Sequence, residues 1–211
     1  MGMISVMVFT PVCSNNSPLT ALIALHAGSC TAESDEIVVH VVGAENEHNM
    51  MTGIAVGAGG IKPSWKPGQP VLISDHINLT GASPLEGATF IDLTDLYSVR
   101  LRDVARMVDP TLDEGVYCQF RGPQYETPAE VRMAKTIGGH IVGMSTALEA
   151  IAARQAGMEI LGFSLITNMA AGIQTTPLSH QEVIEAGKAA EPVISALLAR
   201  TPSAVLGPLR L

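Results

Sequence analysis

Charge, aromatic rings and cysteine are all scarce in this 211-residue sequence. Only 15% of residues are charged, and Lys+Arg 12 against Asp+Glu 20 leaves a net charge of −8. A surface of that sign repels polyanions, which excludes nucleic acid and anionic membrane as general partners. A small anion would need locally placed donors, and no arginine precedes Arg100. The three cysteines, Cys13, Cys30 and Cys118, are odd in number and lack metal-ligand spacing. They exclude a disulfide framework, and they predict a reduced, cytoplasmic protein that holds no metal. No run approaches the ~20 apolar residues of a membrane span, and no basic region precedes the first apolar stretch. Hydrophobic residues nevertheless make up 47% of the chain, ample for one large core.

What is present reads as short apolar runs alternating with capped helices, the pattern of a single α/β domain. The run 53–61 reads as a strand entering a glycine turn, whose backbone N–H groups can approach an anion closely. A second strand over 71–77 contains Asp75 and His76, which as neighbours point to opposite faces. Leu96, Val99, Leu101, Val104 and Met107 recur at helical spacing, with Arg100, Arg102 and Arg106 on a solvated face.

The densest signal begins at Thr127, which with Glu130 forms a capping box around Pro128 at the first helical position. That helix should stop at Gly138-Gly139 and be followed by a short buried strand over 141–144. Thr146 then caps a helix that ends at Gly157, and a strand over 160–166 delivers Thr167 and Asn168 to its carboxyl end. Ser179 and Glu182 make another capping box, opening a helix through Ala199 with a frayed tail from Thr201. His180 falls in its first turn, where the helix dipole favours a neutral imidazole. Ligand crevices in open α/β sheets lie at carboxyl ends of strands, which lines Glu126, Met144, Ser145 and Asn168 along one crevice. Each also has a plainer reading: Glu126 as charge complement of a helix start, Asn168 as a turn residue, Ser145 as part of a cap.

The pieces Gly115-Val-Tyr117, Gly122-Pro-Gln-Tyr-Glu-Thr-Pro-Ala-Glu130, Val142-Gly-Met-Ser-Thr146, Gly162-Phe-Ser-Leu-Ile-Thr-Asn168 and Leu178-Ser-His-Gln-Glu-Val183 occur in this order. With them stand Gly57-Ala-Gly-Gly-Ile61, Ser74-Asp-His-Ile-Asn-Leu79 and Asp92-Leu-Thr-Asp-Leu-Tyr97. Together they resemble the trimeric, low-molecular-mass purine nucleoside phosphorylases, in particular the bacterial branch. The resemblance runs from about Ile54 to the helix after His180. Residues 1–50 do not share it, because the family's Gly-rich turn with a phosphate-binding Ser and its Arg-x-His pair have no counterpart there. The expected organisation is a divergent segment over 1–50, a phosphorylase-like core over 51–200 and a tail over 201–211.

The resemblance implies a single α/β domain with a central mixed β-sheet flanked by helices, assembled as a homotrimer. It implies reversible phosphorolysis of 6-oxopurine nucleosides and deoxynucleosides such as inosine and guanosine, with inorganic phosphate as co-substrate and no cofactor. Glu126 and Asn168 would hold the base, while Tyr125, Met144, Ala58, Thr167 and His180 would line the nucleoside. Ser145 and the backbone of Gly57 would contact phosphate. Two other readings stay open, a catalytically impaired nucleoside-binding relative and an enzyme of the methylthioadenosine phosphorylase type. Asn168 and the Tyr125-Glu126 pair argue against the latter, which uses acidic residues near the position of Asn168.

Overall fold

The structure is a computed structural model that describes residues 8–9, 41–42, 51–174 and 179–206. A two-stranded parallel pair joins β1 (Val8–Phe9) to β2 (Val41–Val42). The main sheet contains β3 (Met51–Gly60), β4 (Pro70–Asn78), β5 (Glu114–Gln119), β6 (Ile141–Gly143) and β7 (Glu159–Met169). Between and after them run α1 (Val99–Val108), α2 (Pro128–Thr136), α3 (Ala147–Gln155) and α4 (His180–Leu206).

The expected mixed sheet is present, and it closes on itself in the order β3-β6-β5-β4-β7. The pairs β3–β7, β4–β5 and β5–β6 are parallel, whereas β3–β6 and β4–β7 are antiparallel. Closure leaves none of these strands with an open edge along its whole length. β7 shows why its sequence is almost continuously apolar: both of its faces are covered. Leu161, Phe163 and Leu165 pack with Leu72, Leu101, Ile194 and Leu197 beneath α1 and α4. Ile160 and Ile166 point the other way, to a cluster with Ile73, Tyr97, Tyr117 and Ile141. The period-two alternation of a strand thus sorts one apolar run into two cores. Phe163 is wholly buried at the centre of the first cluster. Phe163→Ala is expected to cost about 3–5 kcal/mol in urea unfolding, the usual range for an emptied aromatic site.

The local capping signals at α2 held. Thr127 accepts from the Glu130 N–H, Glu130 returns a bond to the Thr127 N–H at 2.7 Å, and Gly138 takes φ +99° just after the helix. Other expectations need correcting. Arg100, Arg102 and Arg106 do not form a merely solvated face: Arg100 pairs with Glu159 at 2.5 Å, and Arg102 and Arg106 both reach Glu114. They tie α1 to the starts of β7 and β5. The last helix continues past Ala199 to Leu206, so the segment from Thr201 is helical rather than frayed. Thr167 and Asn168 lie within β7, not beyond its end.

Candidate active site

Two strands that run side by side place the first group. In the β3–β7 ladder Ala58 faces Ile166 and Gly59 faces Asn168, so Thr167 is an extra residue on β7. Bulges of this kind re-aim side chains and recur beside active sites. The Thr167 hydroxyl donates to Asn168 Oδ1 at 2.9 Å, with the Ala58 carbonyl 3.3 Å away. Asn168 Nδ2 donates to the Met169 carbonyl at 3.0 Å. The Met169 carbonyl, which can only accept, fixes which end of the amide is nitrogen, and one of the two N–H donors remains for a ligand. Gly57 is exposed beside this group, and Ala58 is buried.

Glu126 stands at the end of the β5–α2 connection, one residue before the cap of α2. Its side chain is 8% exposed, and Oε1 is buried with no hydrogen-bond partner among the described residues. Burial raises its carboxyl above the ordinary range and the nearby charge of Glu130 adds to this, against a bond from its own backbone N–H. The same burial, with the Glu126 charge alongside, pushes the Cys118 thiol up to about 11. A buried carboxylate with one oxygen left unpartnered among the described residues carries a desolvation cost that a donor would offset. Tyr125 next to it is exposed.

Met144 and Ser145 occupy the turn between β6 and α3. Close contacts join this turn to the other two segments. A methyl group on Gly143 would come within 3.4 Å of the Ala58 Cβ, and one on Gly122 would sit 2.5 Å from Met144 Sδ. On the far side, a methyl on Gly172 would meet Pro128 Cβ at 2.9 Å, so the chain after Asn168 lies against the start of α2. The structure therefore brings Ala58 of β3, Glu126 before α2, Met144 and Ser145 of the β6–α3 turn, and Thr167 and Asn168 of β7 into neighbouring segments of one region. His180 is the first residue of α4, and its side chain lies outside the described residues.

One expectation fails here. Thr146 does not cap α3: its φ is +94°, its hydroxyl makes no capping bond, and it is fully buried without a partner among the described residues. The N-terminal N–H groups of α3 are instead met by Gln119, the last residue of β5. No role was legible in the sequence for Gln119, nor for Tyr117 beyond its place in the piece Gly115-Val-Tyr117; the signal available was a polar amide two residues after that tyrosine. His76 and Asp75 form no acid–base pair across the sheet. His76 contacts the Tyr97 hydroxyl at 3.0 Å, and burial lowers its pKa against the opposing charge of Asp75. Among the described residues no group of three or more His, Cys, Asp or Glu could hold a metal ion, and no helix is long and apolar enough to cross a membrane.

The family model of the phosphorylase superfamily matches residues 17–201, beginning well upstream of the first legible motif. A purine nucleoside phosphorylase from Cellulomonas sp is 65% identical over 161 residues, which are 72% of this chain and 57% of that protein. The purine nucleoside phosphorylase of Mycobacterium tuberculosis is 56% identical over 163 residues, 77% of this chain and 61% of the relative. Among solved structures, a Schistosoma mansoni purine nucleoside phosphorylase in complex with inosine aligns with a TM-score of 0.66 at 30% identity, covering 72% of this chain and 60% of that one. The chain spans about three fifths of the length of these relatives. With a family match over most of its length and motif-bearing segments folded into one mixed sheet, the chain belongs to the phosphorylase superfamily, alongside the bacterial purine nucleoside phosphorylases.

Proposed function

We propose that this protein catalyses reversible phosphorolysis of 6-oxopurine ribo- and deoxyribonucleosides, yielding the free base and the pentose 1-phosphate. The observation that carries the reading is the buried Glu126 carboxylate, with one oxygen unpartnered among the described residues, in the same region as the oriented amide of Asn168. A 6-oxopurine supplies the missing donors: its N1–H, and in guanine the 2-amino group, can bond a carboxylate. Adenine presents an acceptor at N1, and leaving the carboxylate opposed to it would cost about 1–3 kcal/mol.

In the reaction a phosphate oxygen forms a bond to C1′ while the C1′–N9 bond breaks, and the electron pair leaves with the purine. The sugar passes through an oxocarbenium-like state comparable to that of glycoside cleavage. Negative charge grows on the base, where the remaining Asn168 N–H can donate to O6 or N7 and Glu126 holds the opposite edge. Ser145 and the backbone N–H of Gly57 are assigned to phosphate. Met144, Tyr125, Ala58 and Thr167 are assigned to the nucleoside, with His180 on the sugar 5′-hydroxyl. Phosphate is a co-substrate, no cofactor is invoked, and the assembly is a cytoplasmic homotrimer.

A second reading, nucleoside binding without turnover, is favoured by one observation: no arginine precedes Arg100, so no guanidinium from that part of the chain grips the phosphate. Release of hypoxanthine from inosine, with and without phosphate and with adenosine as control, separates the two. Phosphate-dependent cleavage of inosine is expected, with adenosine much slower. Asn168→Ala is expected to lower kcat/KM for inosine about 100-fold, as for loss of one donor to a developing charge. Hypoxanthine binding without cleavage would leave only the second reading. Cleavage that prefers adenosine would mean the methylthioadenosine phosphorylase type.

A further inference from the structure

The turn that carries Met144 and Ser145 is held by a strand distant in sequence. Gln119 is 4% exposed at the end of β5, and both ends of its amide are spent on this turn. Its Nε2 donates to the Met144 carbonyl at 3.1 Å, and its Oε1 accepts from the Ala147 N–H at 2.6 Å and the Leu148 N–H at 3.3 Å. Two residues earlier on the same strand, and so on the same face, the Tyr117 hydroxyl accepts from the Ser145 N–H at 3.4 Å. Backbone groups on both sides of Ser145 are therefore fastened to β5.

The turn needs such a hold. Thr146 is β-branched and sits at φ +94°, a conformation that persists only where the surroundings impose it. Its own hydroxyl gives no help, since it caps nothing. We propose that Gln119 is a positioning residue for the phosphate half of the site: by clamping the Met144 carbonyl and the start of α3, it fixes the backbone from which Ser145 meets the anion. This rests on the phosphorolysis reading for the identity of that anion. The task demands an amide, because one side chain must donate to a carbonyl and accept from two N–H groups at once. A leucine of similar size does neither. A glutamate keeps the acceptor at a helix start, where its charge is favoured, but turns a second acceptor toward the Met144 carbonyl until it is protonated.

The test compares wild type, Gln119→Leu and Gln119→Glu for melting temperature, KM for phosphate, KM for inosine, kcat, and calorimetric affinity for inorganic phosphate. Gln119→Leu is expected to raise the KM for phosphate about tenfold, the equivalent of one lost net hydrogen bond with its geometry, and to leave the KM for inosine within about twofold. Gln119→Glu should melt below wild type at neutral pH, and both that loss and its phosphate defect relative to wild type should shrink as pH falls and the carboxyl regains a proton to donate. If Gln119→Leu does not fold, Gln119→Glu carries the comparison alone. Equal changes in both KM values, or a phosphate KM that does not move, would overturn the proposal. A wild type that binds phosphate yet cleaves no inosine would sink the phosphorolysis reading only, and weakened phosphate affinity in the variants would still support the clamp. A wild type with no measurable phosphate affinity overturns the clamp as stated.

Discussion

Glu126→Gln is expected to lower kcat/KM for inosine by about 10²–10³-fold while making the folded protein more stable at neutral pH. Both effects come from the same burial. The glutamine keeps one acceptor oxygen but replaces the other with an NH2 group, which opposes the donors of a 6-oxopurine, and the negative charge is lost. The stability effect follows from the raised pKa of Glu126. A carboxyl whose folded-state pKa lies above its ordinary 4.5 binds its proton more tightly in the folded chain. Its contribution to stability is fully present below the ordinary value and is lost as pH rises through the folded-state pKa. Above that window the wild type holds a buried charge with one oxygen unpartnered among the described residues, and the variant holds no charge there.

The two melting curves should therefore converge on the acid side of 4.5 and separate with rising pH, the variant melting higher. The acid limb of wild-type kcat/KM should likewise lie above that of an ordinary carboxylate, because the ionised form is the one that accepts from the base. Differential scanning calorimetry across pH, paired with inosine kinetics, reads both. A variant less stable than wild type at pH 7, or stability curves that stay parallel, would remove Glu126 from the role of a buried, functionally retained charge.

Much of the fold was legible because its signals are local. Thr127, Pro128 and Glu130 lie within four residues, and the capping box they spell is the one observed. The apolar runs of β6 and β7, and of the Val71–Ile73 start of β4, were likewise visible, since burial on both faces leaves little polar interruption there. What sequence could not supply was partnership across distance. The run of β7 says that both faces are covered, yet only the folded chain shows that β3 and β4 are its neighbours and that the sheet closes. Arg102 and Arg106 look like a wetted helix face until Glu114 arrives from β5. Thr146 has the composition of a cap and the position of one, but its backbone is turned to positive φ, and the cap comes from Gln119, 28 residues upstream of Ala147. The candidate site was legible in the same uneven way: residue type and order single out Glu126, Ser145 and Asn168 as candidates, whereas the supports beneath them carry no periodic mark.

Gly143→Ala is expected to be the most damaging single methyl in the sheet, costing about 3 kcal/mol or more and abolishing activity with it. The added carbon would lie 2.2 Å from the Tyr117 hydroxyl oxygen, 2.9 Å from its Cζ and 3.4 Å from the Ala58 Cβ. Two of these distances are inside contact range, and the ring cannot retreat: Tyr117 is wholly buried among Ile73, Ile141 and Ile166. Gly143 must give way instead, and it is bonded through its carbonyl to the Phe120 N–H at 2.8 Å and leads directly into Met144 and Ser145. Relief should come from Tyr117→Phe, which removes the oxygen that the methyl strikes first but leaves Cζ. The double variant should then be more stable than the sum of the single losses predicts, with a coupling of about 1–2 kcal/mol in urea unfolding. Activity should recover less than stability, since the Ser145 N–H loses the hydroxyl that accepts from it. A Gly143→Ala protein within about 1 kcal/mol of wild type, or single-variant losses that simply add, would show that the strand yields where its packing says it cannot.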